Sequence, residues 1–371
     1  MMRLGVNGLR LTGARLGVGR YLEYLLRWWP TLEHPFSEIA VYTPEIPADP
    51  IALQDPIRLE LLGPSVPAAL WEHLVLPLRK PRDDLFFCPS YVVPLLTRSR
   101  PLVVTHLGSY EAIPSAFPWW ERTKAHALYR HSCRRADMVI TVSESSRHDI
   151  MRFYGIAPER IRVIPLGVDE RFQPLEDAAR LEARRRSYFA DGRPYLLFVG
   201  KLSARRHIPE LVEGFVRLVR RVRLPHGLVL IGPDSSGQDV PRLAARLGAR
   251  ERVVHRAFAG HEELVEAYNA ADLFIYPSDY EGFGVPVLEA IACGTPAIAL
   301  NNSAFPEFAG GIAHFARDGS VEGLEEAMET VLFSGEIRAR SRQEGPRRAE
   351  SYRWPDIARR TMEILSEVAR R

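Results

Sequence analysis

The chain has 371 residues, 46% of them hydrophobic, with 49 Lys and Arg against 46 Asp and Glu and a formal net charge of +3. That length exceeds one ordinary core and fits two domains of similar size, while so small a net charge gives little support to a nucleic-acid binder. No apolar run is long enough to span a bilayer, and residues 1–8 are too short and soon too polar for a signal peptide. A cytoplasmic location is expected, with peripheral contact at the inner face of the membrane left open. Cys88, Cys133 and Cys293 lie far apart with no close Cys or His spacing, which points to neither a disulfide framework nor a zinc site. His261-Glu262-Glu263 lacks the second His of a metalloprotease helix, Val265 standing in its place, and no Asp-x-Asp pair is present. No metal or other cofactor is therefore expected. Neutralising a bound anion would fall to backbone dipoles, to arginines and to the three lysines, Lys80, Lys124 and Lys201.

In chain order, the first half alternates short apolar runs at 4–7, 39–42, 85–88, 102–106, 138–142 and 161–164 with helical spacing at 21–29, 119–135 and 143–154, where Ser143 is a candidate cap. Such alternation predicts a mostly parallel, doubly wound α/β sheet. Prolines and glycine at 165–174, followed by a charged stretch through Arg184-Arg185-Arg186, mark an interdomain linker, the triple Arg reading as a solvated helix face. A second alternation has strands at 195–199, 228–231, 252–255, 273–276 and 297–300. Its helices fall at 209–221, 240–247, 262–270, 286–293 and 321–333. Residues 354–371 form an amphipathic closing helix. The expected division is 1–170 and 171–353, the closing helix packing back on the first domain. Two such sheets facing each other would hold a ligand in a cleft at the carboxyl ends of their strands, so the loops that follow strands are the ones to inspect.

Four of these loops carry candidate chemistry. The first runs from Asn7 through Gly8, Gly13, Gly17 and Gly19 into a helix, which permits close approach to phosphate but lacks the third glycine of a dinucleotide fingerprint and the Lys-Ser/Thr of a P-loop. His106 ends a strand and would point into the cleft. Gly200-Lys201-Leu202-Ser203-Ala204-Arg205-Arg206-His207 sets three cations in one short loop, suited to a leaving diphosphate. Tyr280-Glu281-Gly282-Phe283-Gly284-Val285-Pro286-Val287-Leu288-Glu289 is the most informative stretch. A strand enters a glycine turn, and Pro286 opens a helix whose N-terminus favours an anion. Glu281 lies in the loop and Glu289 inside the helix, so the two carboxylates would serve different parts of one ligand.

These blocks, with Arg135-Ala136-Asp137 through Glu144, Arg160 through Asp169, Gly294-Thr295-Pro296 and Pro306-Glu307, together resemble the family-4 retaining glycosyltransferases of the GT-B fold, in order and over nearly the whole chain. The resemblance implies two Rossmann-like domains and transfer of a hexose, mannose or glucose among the candidates, from a GDP- or UDP-linked sugar to a hydroxyl of a glycan, glycolipid or small molecule. It implies that Glu281 contacts the sugar hydroxyls and Glu289 the ribose hydroxyls. Phe283, Gly284 and Val285 would offer backbone N–H groups to sugar and diphosphate. Lys201 and Arg206 would clamp the diphosphate, Gly17 and Gly19 would approach it, Phe258 would line the base pocket, and His106 would touch the sugar. In a front-face mechanism the departing phosphate oxygen accepts the acceptor's proton and no protein nucleophile is required, unlike the paired carboxylates of retaining hydrolases.

Three departures from the family pattern stand out. The usual Arg-Lys pair of the phosphate loop appears as Arg205-Arg206, Leu107 replaces the Asp common after the strand-end His, and Ala257-Phe258 replaces a Gly-aromatic pair. Trp28-Trp29 and the basic aromatic helix at 119–135 fit either a helix packed on the sheet or one lying on an anionic membrane, and a lipid-linked or membrane-near glycan acceptor is expected. Competing readings are a sugar-nucleotide epimerase or glycan phosphorylase of the same fold, and a non-catalytic sugar-nucleotide binder. With Lys201 the only lysine of the second half, a pyridoxal-phosphate phosphorylase is disfavoured.

Overall fold

The computed structural model describes residues 2–13, 17–64, 66–99, 101–106, 110–113, 118–235, 237 and 239–371. Leu107, Gly108 and Ser109, next to His106, and residues 14–16 of the first glycine loop lie outside them. The chain divides into two compact units, Met1–Gly167 with Trp354–Arg371, and Val168–Arg353.

The first unit is built on β1 Met2–Asn7, β2 Phe36–Thr43, β3 Ile57–Leu61, β4 Leu85–Cys88, β5 Leu102–His106, β6 Met138–Thr141 and β7 Ile161–Val163, all parallel in the order β3-β2-β1-β4-β5-β6-β7. Unbroken apolar runs such as Leu85-Phe86-Phe87-Cys88 arise because helices cover both faces of a parallel sheet. On one face Leu4, Val6 and Phe87 meet the helices Val18–Trp28 and Trp354–Ala369; on the other, Phe86 and Val104 meet Trp71 and Tyr154. Trp354 stacks on Tyr24, ring centroids 4.5 Å apart and planes 8° from parallel. Gly167 makes room for it, since a Cβ there would come within 2.6 Å of Trp354 Cδ2.

The second unit contains β8 Tyr195–Val199, β9 Gly227–Ile231, β10 Val253–Arg256, β11 Leu273–Tyr276, β12 Ala297–Leu300 and β13 His314–Ala316, also all parallel, in the order β10-β9-β8-β11-β12-β13. Both units are thus doubly wound α/β sheets, the fold class that the strand and helix alternation predicts.

Among the elements that the sequence reading did not give, four show why. The strand β3 alternates apolar and polar residues as an edge strand does, and β13 is only three residues long. Residues assigned to the linker contain the helix Ala178–Tyr188, whose N-cap Asp177 accepts from Arg180 N. Its triple Arg is only partly solvated: Arg184 grips Glu266 at 2.6 Å and Arg185 reaches Asp272 at 3.3 Å, while Arg186 pairs with Glu182 of the same helix. The helix Gly335–Glu350 has no apolar stripe because its inward residues, Ser341, Gly345 and Ala349, are small. A Cβ on Gly345 would lie 2.7 Å from Ile291 O, so close backbone approach replaces side-chain interdigitation.

Trp354→Ala, which removes a ring shared by both chain segments of the first unit, is expected to lower stability by about 3–5 kcal/mol. Urea unfolding checks this, and a loss under about 1 kcal/mol would contradict the role given to the closing helix.

Candidate active site

In the second unit the strand order reverses between β8 and β11, so the loops after these two neighbours leave in opposite directions and open a crevice at their carboxyl ends. The loop after β8 carries Lys201, Arg205 and Arg206, and the loop after β11 carries Ser278 and Glu281. The two loops meet on a single oxygen. Glu281 Oε1 accepts from Arg205 Nη1 at 2.6 Å, Arg206 Nη2 at 2.8 Å and Nε at 3.1 Å, Tyr276 Oη at 2.9 Å and Ser278 Oγ at 3.1 Å. No partner within the described residues is assigned to Oε2, and the Glu281 side chain keeps 14% exposure. Burial pushes the Glu281 carboxyl upward, but Arg206 and Arg205 outweigh it and hold it below the usual carboxylate range.

Arg206 therefore stands differently from the free clamp that the sequence predicts. It is 8% exposed, lies 5.0 Å over the Tyr276 ring, donates from Nη1 to Lys201 O at 2.7 Å and donates from Nε and Nη2 to Glu281. Lys201, by contrast, is exposed with no side-chain partner assigned within the described residues. Tyr276, Ser278 and Arg205 are contributors that sequence reasoning did not select. Their position at the end of β11, or in the three-cation loop after β8, was the available signal.

The glycine turn leads into a helix at the expected place, but the helix begins at Val285, one residue before the expected Pro286. Gly284 has φ +105° and caps the helix Val285–Ala292, and a Cβ there would come 2.5 Å from Phe305. Val285 opens that helix, whose first N–H groups lack intrahelical partners. The Phe283 ring belongs to the core, stacked on Phe308 at 4.7 Å, so only its backbone is available to a ligand. Glu289 is the fifth helical residue, 6% exposed, and Tyr268 Oη donates to its Oε2 at 2.8 Å. Phe258, placed in the base pocket by resemblance, is 79% exposed on the loop after β10.

In the first unit Gly17 has φ +47°, caps the helix Val18–Trp28 and has open space where a Cβ would stand, while Gly19 is buried in the first turn. His106 ends β5 as predicted, but its ring is enclosed and not open to solvent. It is 0% exposed, with Tyr91, Tyr129 and Tyr154 rings 5.2, 5.3 and 5.3 Å away, and neither ring nitrogen has a hydrogen-bond partner among the described residues. Burial lowers its pKa to about 4 against a weak opposing pull from Glu111, so the ring is neutral near pH 7. Tyr91, beside it, holds φ +44°, a strained value for a residue with a side chain.

The two sheets and the loops after β8 and β11 define the GT-B class of glycosyltransferase. Family models match both parts of the chain, Glycosyltransferase Family 4 over residues 16–172 and Glycosyl transferases group 1 over residues 179–348. The chain belongs to this family. The O-antigen chain mannosyltransferase B of Escherichia coli is 26% identical over 286 residues, 77% of this chain and 74% of that one. A D-inositol 3-phosphate glycosyltransferase of Nocardia farcinica is 32% identical over 62% of this chain, which spans about half, 52%, of that relative. Among solved structures, sucrose-phosphate synthase from Thermosynechococcus elongatus matches with a TM-score of 0.79 at 19% identity, over 99% of both chains. The Anabaena HepE complex with UDP and glucose matches at 0.77 and 17%, over 99% of this chain and 100% of that one.

The buried neutral His106 has a consequence for acid stability. Its folded pKa lies below the unfolded value of 6.5, so its contribution is fully present above pH 6.5 and is lost as pH falls toward 4. The unfolded chain alone takes up the proton in that window, a loss of about 3 kcal/mol. His106→Phe is expected to shrink the stability difference between pH 7 and pH 4.5 in urea unfolding. An unchanged difference would show that the ring is protonated in the folded protein.

Proposed function

We propose that the chain is a retaining glycosyltransferase that takes a hexose from a nucleoside diphosphate sugar, GDP- or UDP-linked, and delivers it without a metal to a hydroxyl of a glycan or lipid-linked acceptor. The observation that carries this reading is the asymmetry of Glu281, one oxygen accepting from five protein donors and the other without an assigned partner among the described residues. A carboxylate so held is ionised, fixed in rotamer and able to accept hydrogen bonds only, which matches sugar hydroxyls. Lys201 and the N-terminus of the helix Val285–Ala292 supply positive potential for the diphosphate, and Glu289, steadied by Tyr268, is the ribose anchor. Gly17 and Gly19 are assigned to close approach of the diphosphate and Phe258 to the base, while the enclosed His106 ring would reach a hydroxyl of the sugar, as a neutral partner, only if its tyrosine wall opened.

The names of the relatives support sugar transfer, and a structural neighbour solved with UDP and glucose supports the nucleotide sugar. In this reading catalysis is orientation plus stabilisation of the departing diphosphate, whose oxygen takes the acceptor proton. Peripheral contact with the inner face of the membrane is part of the proposal, since a lipid-linked acceptor resides there.

Glu281→Gln keeps the shape of the side chain and removes its charge. With GDP- and UDP-sugars and candidate acceptors, it is expected to cut release of free nucleotide about a hundredfold or more while circular dichroism stays parental. Parental rates in the folded variant would overturn the assignment. Lys201→Ala is expected to weaken binding of the bare nucleoside diphosphate about tenfold by calorimetry, and unchanged affinity would remove Lys201 from the site.

A further inference from the structure

Three neighbouring segments of the first unit leave large apolar side chains in water. In residues 68–79, Trp71 and Leu76 are buried while Leu70, Leu74 and Leu78, spaced four apart, are 47%, 40% and 68% exposed. Leu95 and Leu96 are about half exposed, and Trp119 and Trp120 are 72% and 55% exposed. Contacts join the segments: Leu95 N donates to His73 Nδ1 at 3.3 Å, and Arg135 Nη2, at the end of the helix Trp119–Arg135 away from its tryptophans, donates to Thr97 O at 3.2 Å. His73 also lies within electrostatic reach of His131 and Lys124. Seven of the eleven exposed large apolar side chains among the described residues fall on these segments, so they cluster and are not scattered singly.

The charge on this face is one-sided. Residues 68–82, 95–98 and 119–135 hold nine Lys or Arg and two Glu, in a chain whose net charge is only +3; one of the nine, Lys80, is buried against Asp83 and takes no part in the face, which leaves eight cations. One of the two acids, Glu72, is buried and bonded to Asn7 Nδ2 at 2.7 Å. Leucines and tryptophans flanked by cations match a bilayer interface, where aliphatic chains enter the acyl region, indoles sit at headgroup depth and Lys or Arg meet anionic phosphates. A second copy is a poorer occupant, because a two-fold contact would set like charges against each other.

We propose that the face formed by Leu70, Leu74, Leu78, Leu95, Trp119 and Trp120 docks on an anionic lipid bilayer. It gives the lipid-linked acceptor of the proposed function a physical location. Binding is read without donor or acceptor, so either proposal can fail alone.

The test sediments the full chain with vesicles of equal phosphatidylglycerol and phosphatidylcholine, or of phosphatidylcholine alone. The parent is expected to pellet mainly with the anionic vesicles and to be released by high salt. Leu74→Gln with Leu78→Gln, both exposed in the parent, is expected to reduce the partition coefficient about tenfold or more, with thermal unfolding and nucleotide release on a water-soluble acceptor unchanged. Equal partition into both vesicle types, or parental sedimentation of the double variant, would overturn the proposal. So would a concentration-dependent dimer, by light scattering, that the double variant abolishes, because the face would then be a subunit contact.

Discussion

A buried carboxylate is stable only when its charge is met, and at Glu281 two guanidinium groups, a phenol and a hydroxyl meet it on one oxygen. This constraint organises the second unit. It requires β8 and β11 to be neighbours, because one delivers the arginines and the other delivers Tyr276, Ser278 and the acid. It fixes the entry to the helix Val285–Ala292, since the chain must turn through Gly284 directly after the anchored Glu281. Arg205 Nη1 also donates to Ser278 Oγ at 2.7 Å, so the two loops are held to each other as well as to the acid. Removing either side would leave a charge uncompensated in a largely dry environment.

The first unit uses the opposite solution for its strand-end side chain. His106 is kept neutral by aromatic walls, whose desolvation outweighs the pull of Glu111, and Glu111 itself bonds His126 at 2.6 Å and Tyr154 Oη at 3.1 Å. One unit thus holds a charge-compensated anion and the other encloses a neutral imidazole, two different answers to the cost of burying a polar side chain.

The fold was legible in the sequence wherever burial writes a pattern. Continuous apolar runs marked β4, β5, β8, β11 and β12, and the long helix Trp119–Arg135 was visible in its spacing. It was illegible where packing uses small residues, as in Gly335–Glu350, or where a strand sits at an edge, as in β3. Within the site, residue types and loops could be read from the chain, but the direction of a side chain could not. The cation loop announced three positive charges without revealing that Arg206 turns inward to Glu281 while Lys201 stays free to meet an anion. The enclosure of His106 depends on Tyr91, Tyr129 and Tyr154, residues from three separate segments, and no local motif encodes that.

The central claim is that paired guanidinium groups keep Glu281 ionised for catalysis, and the acid limb of the pH dependence of kcat/KM for nucleotide release tests it most directly. The folded carboxyl is held below its ordinary value, so the parental rate should persist as pH falls toward 4.5 and be lost only below it. In Arg206→Met, which removes the guanidinium at 2.8 Å, the limb should move upward. An acid limb at the same pH in both proteins would contradict the account.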